Sequence, residues 1–225
     1  MPFTMNTSHA GEQDQQNVGS FIWPNLNRCP SFSPPLRLGV MASGEGSNFQ
    51  ALVEATRAGL LDATVECLVV NNPECGARKR AKNLGIQCMV HDHRKYQTRE
   101  LLDIDLVETF NQAQVEGVIM AGWMRVVTES LISQFKGRLI NIHPSLLPSF
   151  KGVNAIEQAL ESGVNLTGCS IHHVVPAVDS GRLLAQAAVP VLDGDDVNSL
   201  RERIQTQEHR ILPMAIAIAA TEWRK

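Results

Sequence analysis

The fold class can be predicted from Leu36–Val53, which reads LRLGVMASGEGSNFQALV. This stretch opens with a short apolar run, Leu36 to Ala42, which stops abruptly at a glycine-rich segment and continues into the helix-like sequence Phe49 to Val53. This pattern predicts a β-strand, a tight turn and the first turns of an α-helix. The folded part of the chain therefore begins at Leu36.

The same alternation continues toward the carboxyl terminus. Longer helical patterns, such as Thr98 to Gln112, lie between further short apolar runs at Val65 to Val70, Ile86 to Val90, Val118 to Ala121 and Leu139 to Ile142. Buried strands that alternate with helices are typical of parallel sheets covered on both faces. The sequence predicts an α/β fold, a Rossmann-like open and mostly parallel sheet with helices on both faces.

After Ile142 the rhythm changes. A loop through Pro148 leads to a predicted helix near Asn154 to Glu161 and to two β-like stretches, Cys169 to Val175 and Leu183 to Val191. A closing helix over roughly Asp196 to Ala219 completes the chain. We expect this less regular part to complete one site together with the Rossmann-like part.

The glycine-rich segment Gly44–Asn48, here called the anion loop, lies between a predicted strand and a helix amino terminus. Unpaired N–H groups and the helix dipole favour an anion there, and glycine lets the backbone approach it, so we expect a phosphate. The segment fits neither the dinucleotide pattern, because Phe49 occupies the third glycine position, nor the Walker A pattern. A nicotinamide enzyme and an NTPase are disfavoured, while a purely structural tight turn remains an alternative.

Composition excludes several classes of function. The net charge of −3 gives no sign of a surface for polyanions, so nucleic acid is not an expected partner. No apolar run approaches the roughly 18 residues of a membrane-spanning helix, and the amino terminus lacks the pattern of a secretory signal. The five cysteines form no Cys-x-x-Cys pair, which argues against disulfides and zinc. We expect a cytoplasmic protein without a membrane partner.

Two domain-level expectations follow from length and composition. Residues 1–35 are rich in Ser, Asn, Gln, Gly and Pro without periodicity, which predicts a disordered extension. Within it, Phe21, Ile22 and Trp23 form a short apolar segment. This segment either docks onto the domain or a partner, or it belongs to a loosely attached tail, which is the interpretation we favour. Residues 36–225 are predicted to form a single domain.

The strongest motif is Asn141-Ile142-His143-Pro144-Ser145-Leu146-Leu147-Pro148, directly after an apolar strand. Ligands of open α/β sheets bind at the carboxyl ends of strands, so Asn141 and His143 are expected to face the same crevice as the anion loop. An amide N–H can stabilise an oxyanion, and a histidine can move a proton at neutral pH. Alternatively, His143 only caps a loop that the prolines stiffen.

An acidic partner for this histidine follows in His172 to Gly181. The Ser180-Gly181 turn would let the Asp179 carboxylate reach inward, and an aspartate near a histidine fixes its tautomer and stabilises its cation. His172 is expected to line the site, whereas His173 should face the opposite side of the strand.

Four motifs in one order resemble the phosphoribosylglycinamide formyltransferase family. They are Ser43-Gly44-x-Gly46-Ser47-Asn48, Asn141-x-His143-Pro144-Ser145-Leu146-Leu147-Pro148, His172-x6-Asp179 and Gln205-Thr206-Gln207-Glu208-His209. The resemblance covers about Leu36 to Ala219. It implies transfer of the formyl group of 10-formyltetrahydrofolate to the amine of glycinamide ribonucleotide, without a metal and with these two small molecules as partners.

The resemblance also implies site residues. Asn141, His143 and Asp179 would be the catalytic trio. The ribonucleotide would contact Gly46, Ser47, Asn48 and Glu208, with Gln205 as a weaker match. The folate would contact Asn141 and a second group of residues, namely Arg99, Met124, Arg125, Val126 and Val127.

The sequence departs from the family pattern at a few positions. Asn154 and Ile156 stand where many relatives carry histidine, and Arg182 stands where proline is common. Glu45 lies within the anion loop, so we expect its carboxylate to point away from a bound phosphate. His91 and His93 resemble a metal pair but lack accompanying ligands, so we expect a solvated loop.

Three alternatives remain. A formyltetrahydrofolate deformylase would share the trio but usually carries an amino-terminal regulatory domain. A methionyl-tRNA formyltransferase would need a basic carboxyl-terminal domain. A non-catalytic sugar-phosphate binding module would keep the anion loop without the chemistry. The expected oligomeric state is a monomer or a homodimer.

Overall fold

The structure is a computed structural model that describes residues 21–24 and 29–224. The strands of this part are β1 (Phe21–Trp23), β2 (Leu36–Ala42), β3 (Ala63–Val70), β4 (Gln87–Val90), β5 (Gly117–Met120), β6 (Leu139–His143), β7 (Leu166–His173) and β8 (Leu183–Pro190). The α-helices are α1 (Ser47–Arg57), α2 (Gly76–Leu84), α3 (Arg99–Gln112), α4 (Glu129–Gln134), α5 (Ala155–Glu161) and α6 (Val197–Ala220).

All eight strands form one sheet in the order β1-β8-β7-β6-β5-β2-β3-β4. β4, β3, β2, β5 and β6 run parallel, and β7, β8 and β1 extend the sheet by antiparallel pairing. The predicted α/β fold is confirmed, and the change of rhythm after Ile142 corresponds to the change from parallel to antiparallel strands.

Helices cover both faces of the sheet, as predicted. Residues of α1, α2, α5 and α6 join one buried apolar cluster, and residues of α3 and α4 join the other. Alternate residues of β2 divide between them, since Val40 belongs to the first cluster and Met41 to the second. A strand that is buried on both faces reads as a continuous apolar run, which explains why β2 was recognisable in the sequence.

The sheet order also explains where a ligand cavity can form. The chain proceeds outward from β2 to β3 and β4 and then returns to β5 on the other side of β2. The loops that follow β2 and β5 consequently diverge, and such a switch point opens a crevice at the carboxyl ends of the strands. The anion loop follows β2, and residues 121–128 follow β5.

The α6 helix begins where the sequence provides a cap. Asp196 accepts hydrogen bonds from the N–H groups of Asn198 and Ser199, and the Ser199 hydroxyl accepts one from the Asp196 N–H. This capping box satisfies N–H groups that the first turn cannot pair internally. The helix carries Gln205 and Glu208 to the carboxyl ends of the strands.

The described residues of the amino-terminal segment differ from the expected loose tail. Phe21–Trp23 form β1, which pairs with β8 as an edge strand. Ile22 packs against the core, while Phe21 and Trp23 are 70% and 66% exposed. Alternation of side chains across a strand explains this division. Residues 1–20 of the predicted extension lie outside the described residues.

Two smaller expectations concern cysteines and membranes. All five cysteines are described and are free thiols. Burial raises the pKa of the Cys67 thiol to about 12. Among the described residues, no helix has the length and apolar character to cross a membrane.

Candidate active site

One cavity of about 500 Å³ opens at the carboxyl ends of β2, β5 and β6. Its wall comes from the anion loop and from residues that the sequence places far apart, in segments 120–127, 141–144, 152–157 and 172–179 and at Arg201, Ile204, Gln205 and Glu208. The strand ends and the following loops thus bring most of the predicted site residues into one space.

β6 presents Asn141 and His143 on the same face because side chains alternate along a strand. His143 is 5% exposed, and its Nε2 lies 2.8 Å from the carbonyl oxygen of Phe150. A carbonyl only accepts hydrogen bonds, so Nε2 carries the proton in this contact. The other ring nitrogen, Nδ1, is thereby left to face Asp179, whose Oδ2 lies 3.4 Å away.

Asp179 reaches the cavity from an exposed turn. Its φ of 47° places it in the left-handed region, which aspartate tolerates better than most residues. Its Oδ2 accepts a hydrogen bond from the Gly152 N–H at 2.8 Å, and its Oδ1 lies 3.5 Å from His172 Nε2. Burial acts to raise the pKa of this carboxyl, but the contacts with His172, Gly152 and His143 outweigh it and lower the pKa below its ordinary value.

His172 has a more central position than the sequence indicated. It lies opposite Asn141 in the β6–β7 ladder and is 2% exposed. Its Nδ1 donates to the carbonyl of His173, and its Nε2 lies 3.2 Å from Asn141 Nδ2. This contact orients the Asn141 amide. His173 points away, with its Nε2 3.2 Å from Arg182.

Gly46 lies in the anion loop and is the residue before α1. Gly46 has φ 76°, and a Cβ there would lie 2.7 Å from the Cβ of Ala77, so only glycine fits. Within the described residues, no side chain caps α1. The N–H groups of its first turn are therefore left without a side-chain cap, which is the arrangement that an anion site at a helix terminus requires.

Glu208 closes the same part of the cavity from α6. It is 5% exposed, and its Oε2 accepts a hydrogen bond from Asn48 Nδ2 at 2.8 Å. Burial raises the pKa of this carboxyl above its ordinary value, against the opposing effect of Asn48. Among the described residues, the buried Asn48 Oδ1 has no hydrogen-bond donor. Gln205 also lines the cavity.

The wall after β5 has the properties expected of a surface for a flat ligand. Met124 and Val126 are 76% and 49% exposed, whereas Val127 is buried. Met124 N–H donates to the Ser43 hydroxyl, which ties this wall to the anion loop. The buried Arg125 Nε has no hydrogen-bond acceptor among the described residues.

Arg99 is a predicted site residue that lies outside the cavity. It is exposed at the start of α3 and does not line the cavity. A helical start at residue 99 could be predicted from the sequence, but the direction of its side chain could not.

The departures from the family pattern have definite positions. The Glu45 carboxylate lies against Gly76 at the amino end of α2, where a helix dipole favours negative charge. Asn154 lines the cavity and precedes α5, and Ile156 is buried in the core. Arg182 forms an ion pair with Glu222 at 3.0 Å, outside the cavity.

The two histidines that resembled a metal pair have structural contacts. His91 lies within hydrogen-bond distance of Tyr96 and Thr109, and His93 Nδ1 donates to the Asn71 carbonyl. Both are half-buried, so the expected solvated loop is wrong for these side chains. In the described part of the chain, no cluster of three or more His, Cys, Asp or Glu residues is arranged for a metal ion.

Sequence reasoning missed the contributions of the backbone. The Phe150 carbonyl and the Gly152 N–H orient His143 and Asp179, and any residue type supplies such groups. His172 was expected to line the site, since it lies in a β-like stretch close to Asp179. Its pairing with Asn141 could not be read without the strand register.

Comparisons with known proteins show which family this chain resembles. The family model described as formyl transferase matches residues 36–216. The trifunctional purine biosynthetic protein adenosine-3 of Homo sapiens is 42% identical over 187 residues, which are 82% of this chain and 18% of that protein. This chain spans 14% of the corresponding Drosophila pseudoobscura pseudoobscura protein, so it matches only a small part of these relatives.

Relatives of similar length are also found. The phosphoribosylglycinamide formyltransferase of Escherichia coli (strain K12) is 36% identical, with 80% of this chain and 84% of that protein covered. The crystal structure of glycinamide ribonucleotide transformylase 1 from Symbiobacterium toebii superimposes with a TM-score of 0.82 at 40% identity, covering 84% and 90% of the two chains. The chain therefore belongs to the formyl transferase family, and its similarity is to the phosphoribosylglycinamide formyltransferases of that family.

Proposed function

We propose that this chain transfers the formyl group of 10-formyltetrahydrofolate to the amine of glycinamide ribonucleotide, a step of de novo purine (IMP) biosynthesis. One observation carries the proposal. Asn141, His143 and Asp179 meet in a cavity whose other end is the anion loop at the start of α1. A substrate that carries both a phosphate and a nucleophilic amine can span these two ends.

The chemistry assigned to the trio follows from its geometry. Bound 10-formyltetrahydrofolate supplies an activated formyl carbon for attack by the amine. The Asn141 amide and the protonated Nδ1 of His143 stabilise the negative charge that develops on the formyl oxygen. The hydrogen bond that His143 Nε2 donates to the Phe150 carbonyl keeps Nδ1 directed at the cavity.

Asp179 takes part in the proton transfer of this step. Its lowered pKa keeps it ionised at neutral pH, where it stabilises the His143 cation. The new carbon–nitrogen bond leaves an extra proton on the substrate amine, and the bond to the folate nitrogen breaks. Asp179 and a water carry the proton from the amine to the departing folate nitrogen, so no covalent enzyme intermediate is needed.

The remaining assignments divide the cavity between the substrates. Gly46, Ser47 and Asn48 hold the phosphate, and Glu208 contacts the rest of the ribonucleotide. Met124 and Val126 cover the folate ring, while Arg125, Val127 and Asn141 contact its polar edge. The cavity wall supports this assignment through its exposed apolar side chains and the unpaired Arg125 Nε. Arg99 is proposed to reach the folate tail outside the cavity.

The proposal includes a cytoplasmic monomer or homodimer that acts on small molecules without a metal or nucleic acid. A non-catalytic module has no need for the buried contact between His143 and Asp179 or for that between His172 and Asn141. A deformylase would use the same trio with water as the acceptor, and the anion loop favours the ribonucleotide as acceptor.

Turnover measured by folate absorbance tests this function. Purified protein is mixed with 10-formyltetrahydrofolate, with and without glycinamide ribonucleotide. We expect turnover only when the ribonucleotide is present, and turnover without it would instead identify a deformylase. His143→Ala should lower kcat by about 100- to 10,000-fold, because it removes a group that stabilises the charge developing on the formyl oxygen. An unchanged kcat would contradict the assigned chemistry.

A further inference from the structure

The anion loop is held from behind by α2. The Gly44 carbonyl accepts a hydrogen bond from the Ala77 N–H at 3.0 Å, and the Glu45 carbonyl accepts one from Arg80 Nε at 2.7 Å. Two successive carbonyls of the loop are therefore fixed by one helix. No described residue of α2 lines the cavity, so the loop separates α2 from the ligand space.

These contacts also determine where the N–H groups of the loop point. In a trans peptide, the C=O and N–H groups of one unit point in opposite directions. When Arg80 holds the Glu45 carbonyl toward α2, the Gly46 N–H of the same peptide points toward the cavity. The hydrogen bond from the Ala77 N–H to the Gly44 carbonyl directs the Glu45 N–H toward the cavity in the same way. Both N–H groups are thus oriented before a ligand binds.

Arg80 is itself fixed by a second contact. Its Nη1 donates to Gln50 Oε1 on α1, so one guanidinium joins the loop, α1 and α2. Arg80 is half-buried, while Arg78 on the same helix is exposed and donates to the Pro73 carbonyl instead. A lysine could not replace this arrangement fully, because a single ammonium lacks the planar fork of a guanidinium.

We propose that Arg80 is a positioning residue for the substrate phosphate, acting through the Glu45–Gly46 peptide without touching the reacting atoms. This inference rests on the proposed function and assigns a role to a residue outside the cavity. Fixing a binding group in advance lowers the entropy that binding must remove. Arg80 should consequently govern ribonucleotide affinity and leave the chemical step unaffected.

Steady-state kinetics of Arg80→Met and Arg80→Lys test the inference, with Arg78→Met as the matched control. We expect the KM for glycinamide ribonucleotide to rise about 10- to 100-fold in Arg80→Met, with a smaller rise in Arg80→Lys. The kcat and the KM for the folate should change less than about three-fold. The control should resemble the unmodified chain in all three parameters.

Direct binding separates this inference from the proposed function. Calorimetric titration with ribose 5-phosphate should show the same loss of affinity in Arg80→Met, whether or not the chain turns over glycinamide ribonucleotide. Unchanged affinity, or absence of binding by the unmodified chain, would overturn the inference. An equal loss of folate affinity together with a lower Tm would also overturn it, since that pattern indicates general damage to the fold.

Discussion

The two ends of the cavity each contain a buried carboxyl group, but the groups have opposite surroundings. At the end formed by Asn141, His143 and Asp179, the carboxylate faces two histidines and the Gly152 N–H. At the anion-loop end, Glu208 accepts a hydrogen bond from Asn48. The pKa of Asp179 is lowered by its partners, and the pKa of Glu208 is raised by burial.

This difference shows that burial alone does not decide the charge of an acid. Ionised Asp179 is suited to stabilise a cation and to accept a proton, because its partners compensate for lost hydration. A carboxyl that resists ionisation beside the anion loop avoids repelling a phosphate. The two ends are therefore expected to respond differently to substitution, one in the chemical step and the other in ribonucleotide binding.

The largest expected effect is at the chemical end. Asp179→Asn should lower kcat by about 100- to 10,000-fold, because the neutral amide neither stabilises the His143 cation nor accepts a proton. The KM for the ribonucleotide should change only a few-fold, as steady-state kinetics would show. Asp193→Asn, at an exposed position outside the cavity, is the control. A raised ribonucleotide KM with normal kcat would show that Asp179 acts in binding, and would contradict its assignment to the chemical step.

A smaller effect is expected at the anion loop. Gly46→Ala should raise the ribonucleotide KM by about ten-fold, because the left-handed conformation costs a non-glycine residue about 1–2 kcal/mol. The added methyl also collides with Ala77. Gly85→Ala is the matched control, since Gly85 also has a positive φ of 67°, its Cβ would meet no atom within 4 Å and it does not line the cavity. If Gly46→Ala kept an unchanged KM, the loop would be a structural turn only.

The smallest effect is on stability as a function of pH. The unmodified chain is compared with Glu208→Gln, which cannot ionise. The stability of the unmodified chain should fall relative to this variant as pH rises from the ordinary pKa of glutamate through the raised pKa of Glu208, because the native state resists ionisation. Relative to Asp179→Asn, the unmodified chain should lose stability as pH falls below the ordinary pKa of aspartate toward the lowered one.

Thermal unfolding between about pH 3 and 8 measures both trends. Each kcal/mol of differential stability should shift Tm by about 2–4 °C. Parallel pH trends for the two pairs would show that the carboxyl groups share one environment, contrary to the structure.

Most of the fold was predictable because its signals are local. The run Leu36 to Ala42 coincides with β2, and the predicted helix over Thr98 to Gln112 corresponds to α3, which begins at Arg99. β1 was not predicted as a strand, because three apolar residues carry no periodicity and form a strand only when the β8 edge supplies partners. The order of strands also depends on pairing between distant residues.

The site was predictable to the extent that its residues carry distinctive chemistry. Asn141, His143 and Asp179 were predicted to lie in one crevice, and they line the same cavity. Arg80 gave no such signal, because an arginine on a basic helix usually faces solvent. Its role depends on a backbone carbonyl 35 positions earlier in the chain.

Three features follow from the amino-acid sequence alone, namely the α/β class, the helix amino terminus that can receive an anion and the residue types available for catalysis. Hydrophobic periodicity, glycine placement and side-chain chemistry are properties of short segments and need no tertiary information. Three others required the assembled structure: which nitrogen of His143 faces Asp179, how His172 orients Asn141 and why the two buried carboxyl groups differ in pKa. Tautomers, dielectric surroundings and peptide orientations are set by groups from distant segments, which meet only when the sheet and its helices are assembled.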